Sequence, residues 1–276
     1  MRANPGGLLF SASDLLNFLG CAHATWLDLR AAKGGKQPAD EHDAYAKLLQ
    51  EKGLEHEKDY LWRLRESGRS IEEITSAGTL DDRVAATRAA MRRGIDIIYQ
   101  GALTTTPWHG YSDFLRRVDS PSALGAWSYE VGDTKLARTA KPKHAIQLGV
   151  YAELLRQEQG LRPRKVHVLL GDGTEVSLNT DDFLHYMGVA VDRFQKFVDA
   201  PPAVSVSEPC AHCQYCRWAS TCEAEWAAGD HLSLVANMRG AQARRLRAAG
   251  ITTMAALADY KGRNSEYFAK ATLGAV

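Results

Sequence analysis

At 276 residues, with 45% hydrophobic and 24% charged side chains, the chain can bury a real core in one or two globular domains. No apolar run approaches the roughly 20 residues of a membrane span. The opening "MRANPGGLLFSASDLL" has no apolar stretch or cleavage site of a signal peptide, so no membrane association is expected and the expected location is cytoplasmic. In that compartment clustered cysteines bind metal more often than they pair as disulfides. The net charge of +1 says nothing about nucleic acid. Local charge says more: Lys135, Arg138, Lys141 and Lys143 form one acid-free basic run, and Arg239, Arg244, Arg245 and Arg247 form another. Each is either a solvated face or a phosphate contact.

In chain order, "SASDLLNFLGCAHATWLDLRAA" reads as one helix with Ser11 or Ser13 as N-cap, and "KGGKQPAD" as a loop. A longer helix is expected over about 41–66 and a short one over about 81–93. The period then changes. "IDIIYQGAL", "GYSDFLRRV" and "WSYEVGDTKL" are β-rich and predict three antiparallel strands. A helix over about 144–158, the strand "KVHVLLG", a turn at "GDG", the strand "TEVSLN" and a helix over about 181–198 follow. This order predicts a mixed α/β fold, a central mixed sheet flanked by helices. Beyond the cysteine segment, "QARRLRAAGITTMAALADY" suggests two short helices around Gly250, resembling a helix–hairpin–helix element, and the tail "GRNSEYFAKATLGAV" fits no recognisable element.

The third predicted strand carries "YEVGDTK". Strand alternation puts Tyr129, Val131, Asp133 and Lys135 on one face, and Glu130, Gly132 and Thr134 on the other. Asp133 and Lys135 alone would read as a solvated ion pair. The preceding strand offers Asp113 between apolar residues, and neighbouring strands can bring the two acids together. Such carboxylates repel unless a cation lies between them, and oxygen donors suit Mg²⁺ or Mn²⁺. Upstream, Leu49, Gly53, His56 and Tyr60 fall at helical spacing on one expected inward stripe, where His56 is either a core histidine or a metal ligand. Gln147 and Tyr151, four apart, share a helix face.

The segment "CAHCQYCRWASTC" holds Cys210, Cys213, Cys216 and Cys222, and Cys21 stands far upstream. Zinc sites of the Cys₄ type pair two separated knuckles, whereas a single close run can wrap a 4Fe–4S cluster. Four ligands from five cysteines leave one spare. The local solution uses the whole run and leaves Cys21 as a small buried hydrophobe.

Asp113, then Asp133-Thr134-Lys135, then Gln147 and Tyr151, with His56 on an upstream helix, resembles the RecB-like branch of the PD-(D/E)XK nucleases. The cysteine segment narrows the resemblance to iron–sulfur members, among them AddB nucleases and CRISPR-associated exonucleases. "GALTTTPWHGYSDFLRRV", "WSYEVGDTKLAR", "QLGVYAELL" and "DHLSLVA" are most similar to the RecB-like nuclease subfamily, over about residues 8–258. One departure is Ser112-Asp113 where the family motif has Pro-Asp.

The resemblance implies a restriction-endonuclease-like core with an iron–sulfur subdomain. Its expected limits are residues 1–228 for the nuclease domain and 229–276 for a C-terminal helical segment. It also implies that His56, Asp113, Asp133 and the Thr134 carbonyl hold Mg²⁺ or Mn²⁺, that Lys135 orients water or stabilises developing charge, and that Gln147 and Tyr151 position substrate. The cluster set it implies is Cys21, Cys213, Cys216 and Cys222, with Cys210 spare. The expected partner is DNA, single-stranded or at processed ends, with a fused or associated helicase or second nuclease. Two rival classes remain: an inactive iron–sulfur DNA-end clamp, and a zinc-binding interaction domain whose acids are surface charge.

Overall fold

The computed structural model describes residues 1–4, 6–38 and 44–260. They fall into two compact units divided between Pro201 and Pro202, with residues 36–38 grouped with the second. Residues 41–43 of the expected long helix and the tail from residue 261 lie outside the described residues. Among the described residues no helix is long and apolar enough to cross a membrane.

The first unit is mixed α/β, as its pattern predicts. It opens with a small hairpin, β1 (Arg2–Asn4) on β2 (Gly7–Leu9). The central sheet has six strands in the order β3 (Ile71–Glu73), β4 (Ile97–Thr105), β5 (Trp108–Val118), β6 (Ser128–Lys135), β7 (Lys165–Leu170) and β8 (Glu175–Asn179). The expected meander is β4–β5–β6, antiparallel throughout, while β3–β4 and β6–β7 are parallel pairs. Neither β1, β2 nor β3 was expected: each has three residues, too few to display a period.

Helices α1 (Ala12–Gly20), α2 (Ala22–Ala32), α3 (Ala44–Glu66), α4 (Leu80–Arg93), α5 (Pro142–Gln159) and α6 (Asp181–Asp199) surround the sheet. Their ends follow local chemistry. Ser11 with Asp14 and Thr79 with Asp82 form capping boxes, Pro142 opens α5, and α4 and α5 stop at left-handed Gly94 and Gly160. The first predicted helix is corrected to two: the backbone turns extended at Cys21 (φ −160°), after Gly20 has weakened the helix. One sheet face, through Val131, Val166 and Val168, packs with Leu148 and Leu155 of α5 and Leu15 of α1. On the other, Phe114 and Ile97 pack with Leu61 and Leu64 of α3.

A charged network lies on that second face, and Tyr60 of α3 joins it. Tyr60 donates its hydroxyl to Glu175 at 3.4 Å, and Arg116 donates to the same carboxylate at 2.6 Å. His167 lies 2.8 Å from Glu130 through Nε2, and its Nδ1 is 3.0 Å from the Ser177 hydroxyl and 3.3 Å from Glu175. Burial opposes charge on His167, but hydrogen bonding to Glu130 and Glu175 outweighs it and raises the pKa above the usual 6.5. The hydrogen bond with His167, then Arg116, pulls Glu175 down to about 2 against its own burial.

The two titrations have opposite signs. The His167 contribution to stability is complete below 6.5 and is lost as pH rises through the raised folded-state value. The Glu175 contribution is present above 4.5 and is lost as pH falls towards about 2. Thermal denaturation across pH should therefore show a wild-type loss of about 2–4 °C on the alkaline side, the shift that ~1 kcal/mol produces in a domain of this size. His167→Gln should be less stable at mildly acidic pH and lack the alkaline decline; parallel curves would contradict the network. A second expectation concerns Gly110, where an added Cβ would lie 2.3 Å from Cε1 of Tyr151. Gly110→Ala should cost about 1–3 kcal/mol by overpacking. Gly188→Ala in α6, with nothing within 4 Å, should be neutral or stabilising in the same melts.

Candidate metal centre and cysteine segment

The site lies where the central strands stop pairing. The β5–β6 ladder ends at Phe114↔Gly132, so Asp113 and Asp133, next in register, face each other just beyond it. The β4–β5 ladder skips the same position: Tyr99↔Phe114 and Gly101↔Ser112 are kept, and Gln100 between them has a left-handed φ of 57°. A non-glycine residue there is strained, and the distortion frees Asp113 from the regular ladder.

The freed carboxylate is held by β6. Oδ2 of Asp113 accepts the Thr134 backbone N–H at 2.9 Å and the Thr134 hydroxyl at 3.2 Å. Asp133 is buried, at 4% exposure, and its Oδ2 is paired with the Lys135 ammonium, as strand alternation requires of residues two apart. Burial first, then the charge of Asp133 and a hydrogen bond between the two carboxyls, push Asp113 well above the ordinary carboxylate range. The Thr134 N–H and Lys135 pull the other way without prevailing. Burial beside a second acid thus makes ionisation of Asp113 costly without a cation nearby.

Glu57 of α3 belongs to this constellation and was not among the expected site residues. Burial, then the charge of Asp113, raises its pKa, against hydrogen bonds from Tyr99 and Gln100. The Gln100 amide reaches it at 2.5 Å. Its signal in the sequence is that Glu57, Leu61 and Leu64 recur at helical spacing, and both leucines are buried. The expected stripe through Leu49 needs correction, since Leu49 is 41% exposed: the inward face of α3 develops only further along the helix. His56 remains on that side, with Nε2 buried and making no hydrogen bond among the described residues.

On α5, Gln147 and Tyr151 share a hydrogen bond, and burial followed by the charges of Asp133 and Asp113 raises the Tyr151 pKa. The exposed Lys141 and Lys143 flank the start of α5. Next to Lys143, His144 is buried and accepts the Lys141 N–H on Nδ1 at 3.2 Å. Burial, then Lys135, Lys143 and Lys141, brings its pKa to about 4, so it is neutral near pH 7. Not every expected ligand converges. No three of His56, Glu57, Asp113 and Asp133 have ligand atoms within 4.8 Å of one another, and what Thr134 supplies directly is its N–H and hydroxyl to Asp113.

In the second unit, Cys213 lies in a short 3₁₀ turn (Cys213–Tyr215) with Cys216 at its end, and Cys222 is buried on α7 (Ala219–Ala228). Backbone amides point at two sulfurs: Cys210 N–H at Cys213 (3.3 Å) and Trp218 N–H at Cys216 (3.4 Å). The Cys210 and Cys213 sulfurs are 3.8 Å apart, yet no three sulfurs of the run lie within 4.8 Å of one another. Cys21, half-buried between α1 and α2, belongs to the first unit. Further along, α8 (Gly240–Ala248) and α9 (Met254–Ala258) flank Gly250, whose φ of 84° makes the turn. The first amides of α9 are taken within the chain: Met254 and Ala255 donate to Asp230, and Ala256 to Thr253.

No protein-family model matches this chain, and no curated protein matches its sequence significantly.

Proposed function

We propose that the chain is a Mg²⁺- or Mn²⁺-dependent deoxyribonuclease of the RecB-like iron–sulfur type, hydrolysing phosphodiester bonds at single-stranded or processed DNA ends. One observation carries this reading: Asp113 and Asp133 are forced together in a desolvated notch, with Lys135 on the same strand as Asp133. An acid raised first by burial and then by a neighbouring carboxylate is a fitting seat for a divalent cation. The donor chemistry fits further, since Glu57 adds a carboxyl and His56 Nε2 is buried without a hydrogen bond among the described residues.

Asp113 and Asp133 would hold the ion, with Glu57, His56 and the Thr134 carbonyl as the remaining candidates. When bound, the ion would lower the pKa of a water and offset phosphate charge. Lys135 would orient that water or donate to the charge that develops on the phosphoryl oxygens. Tyr151 and Gln147, already hydrogen-bonded together, would position the scissile phosphate. Lys141 and Lys143 would meet flanking phosphates without reading sequence. Because the adjoining His144 stays neutral, the lysines supply the positive charge there.

In this reading Cys21, Cys213, Cys216 and Cys222 ligate a 4Fe–4S cluster, and the thiol donors and the amides aimed at Cys213 and Cys216 suit such a group. The cluster would act as a long-range staple from residue 21 to residue 222. A second reading, a zinc-binding interaction domain, has one observation in its favour. The 3.8 Å between Cys210 and Cys213 sulfurs matches an edge of a tetrahedral zinc–thiolate site, about 3.8 Å for bonds of about 2.3 Å.

Labelled single- and double-stranded DNA incubated with Mg²⁺ or Mn²⁺ tests the main reading. Asp113→Ala, Asp133→Ala and Lys135→Ala should each reduce cleavage at least ~100-fold while leaving the fold and DNA binding in place. Glu130→Ala should be milder, because Glu130 serves the His167 network. An inactive Glu130→Ala beside an active Asp133→Ala would overturn the site. For the cluster, Cys21→Ser should lose the brown colour and the iron of anaerobically purified protein, and Cys210→Ser should keep both. Stoichiometric zinc in colourless wild-type protein would instead favour the second reading.

A further inference from the structure

Cys210, the thiol that the proposed cluster leaves over, is placed against a thiol that the cluster would use. The two sulfurs are 3.8 Å apart, in van der Waals contact, and the residues are three apart in "CAHC". Cys210 is exposed and follows Pro209 in non-helical chain, where a small reagent can reach it. The Cys210 backbone N–H also points at the Cys213 sulfur at 3.3 Å, which holds the two residues in one local turn. One sulfur is accessible and the other lies in contact with it, the arrangement a reversible dithiol needs.

We propose that Cys210 and Cys213 form a reversible disulfide when the cluster is absent, removing Cys213 from the ligand set until the bond is reduced. The dithiol chemistry stands on the geometry alone; its effect on iron uptake rests on the reading of Cys213 as a cluster ligand. The oxidant is a small-molecule disulfide of the glutathione class. The Cys210 thiolate attacks one of its sulfurs, the small disulfide bond breaks, and the first small thiolate leaves, taking a proton. The Cys213 thiolate then attacks the Cys210 sulfur of the mixed disulfide and expels the second small thiolate, which is protonated in turn. Two protein thiols lose two electrons in all, and one small disulfide gains them to become two thiols. The sulfurs need to close from 3.8 Å to a bond of about 2.05 Å, across a turn in which the Cys213 N–H donates to the Cys210 carbonyl at 3.1 Å.

The test uses the full chain, freed of iron under reducing conditions and then incubated anaerobically with oxidised glutathione. Remaining thiols are blocked with N-ethylmaleimide and assigned by tandem mass spectrometry, and parallel samples are reconstituted with iron and sulfide, with and without dithiothreitol. The expected result is one disulfide joining Cys210 to Cys213, with Cys216 and Cys222 labelled. Iron uptake should fall at least ~10-fold and recover on reduction. Cys210→Ser should form no such bond and take up iron equally with or without oxidised glutathione. Full labelling of both residues after oxidation, a disulfide between other cysteines, or a Cys210→Ser protein blocked as strongly as wild type would each overturn the proposal. If the bond forms but neither redox state takes up iron, the cluster assignment fails and the dithiol stands.

Discussion

A carboxyl placed beside a second acid and away from solvent is costly to ionise without a cation nearby. The fold imposes this constraint at Asp113 and Asp133, and the other features of the site follow from it. The β5–β6 ladder stops one pair short of the acids, and the left-handed backbone at Gln100 releases Asp113 from regular pairing. Lys135 offsets part of the charge from β6, and the Thr134 N–H and hydroxyl hold the other carboxylate in place. Glu57 and Tyr151 approach from opposite faces of the sheet; burial raises the pKa of each, and the charge of Asp113 adds to both rises. Strain in the backbone and repulsion between like charges are costs the fold sustains elsewhere, through the cores on both sides of the sheet.

The means of sustaining it is uneven across the two faces. On the α5 side the contact is close-packed and apolar, from Leu148 and Leu155 onto Val131 and Val166. On the α3 side Leu61 and Leu64 supply a smaller apolar contact, and the Tyr60 hydroxyl adds a bond to Glu175. The helix that contributes Glu57 and His56 therefore rests on a smaller, mixed contact, and the helix that contributes Tyr151 on extensive burial. The three-strand meander, the long α5 and the alternation that pairs Asp133 with Lys135 were legible because each spans enough residues to show its period. Gln147 and Tyr151 were legible for the same reason. Glu57 was not, because a carboxyl beside a histidine on a charge-rich helix looks solvated until Leu61 and Leu64 are seen to bury that stripe. The break at Cys21 was hidden by apolar spacing that continues across it, although the backbone does not.

The cysteine segment shows the opposite relation between pattern and geometry. Its spacing was conspicuous, but spacing alone does not decide which sulfurs act together. The amides of Cys210 and Trp218 distinguish Cys213 and Cys216, and the contact between Cys210 and Cys213 marks the latter as common to two candidate chemistries. Nearby, the α8–α9 pair was legible from Gly250, whereas the use of the α9 amides by Asp230 and Thr253 was not. A phosphate at that helix start would have to displace those bonds, so the acid site, and not this hairpin, bears the nucleic-acid reading.

Calorimetric titration of Mn²⁺ into the full chain, at mildly acidic pH in two buffers of different ionisation enthalpy, tests the acid pair most directly. The account predicts Mn²⁺ binding accompanied by proton release that grows as pH falls, because the raised Asp113 carboxyl must give up its proton to accept the cation. Asp113→Asn should abolish that release and weaken binding. Mn²⁺ that binds wild type and Asp113→Asn equally, with no dependence on buffer, would contradict the account.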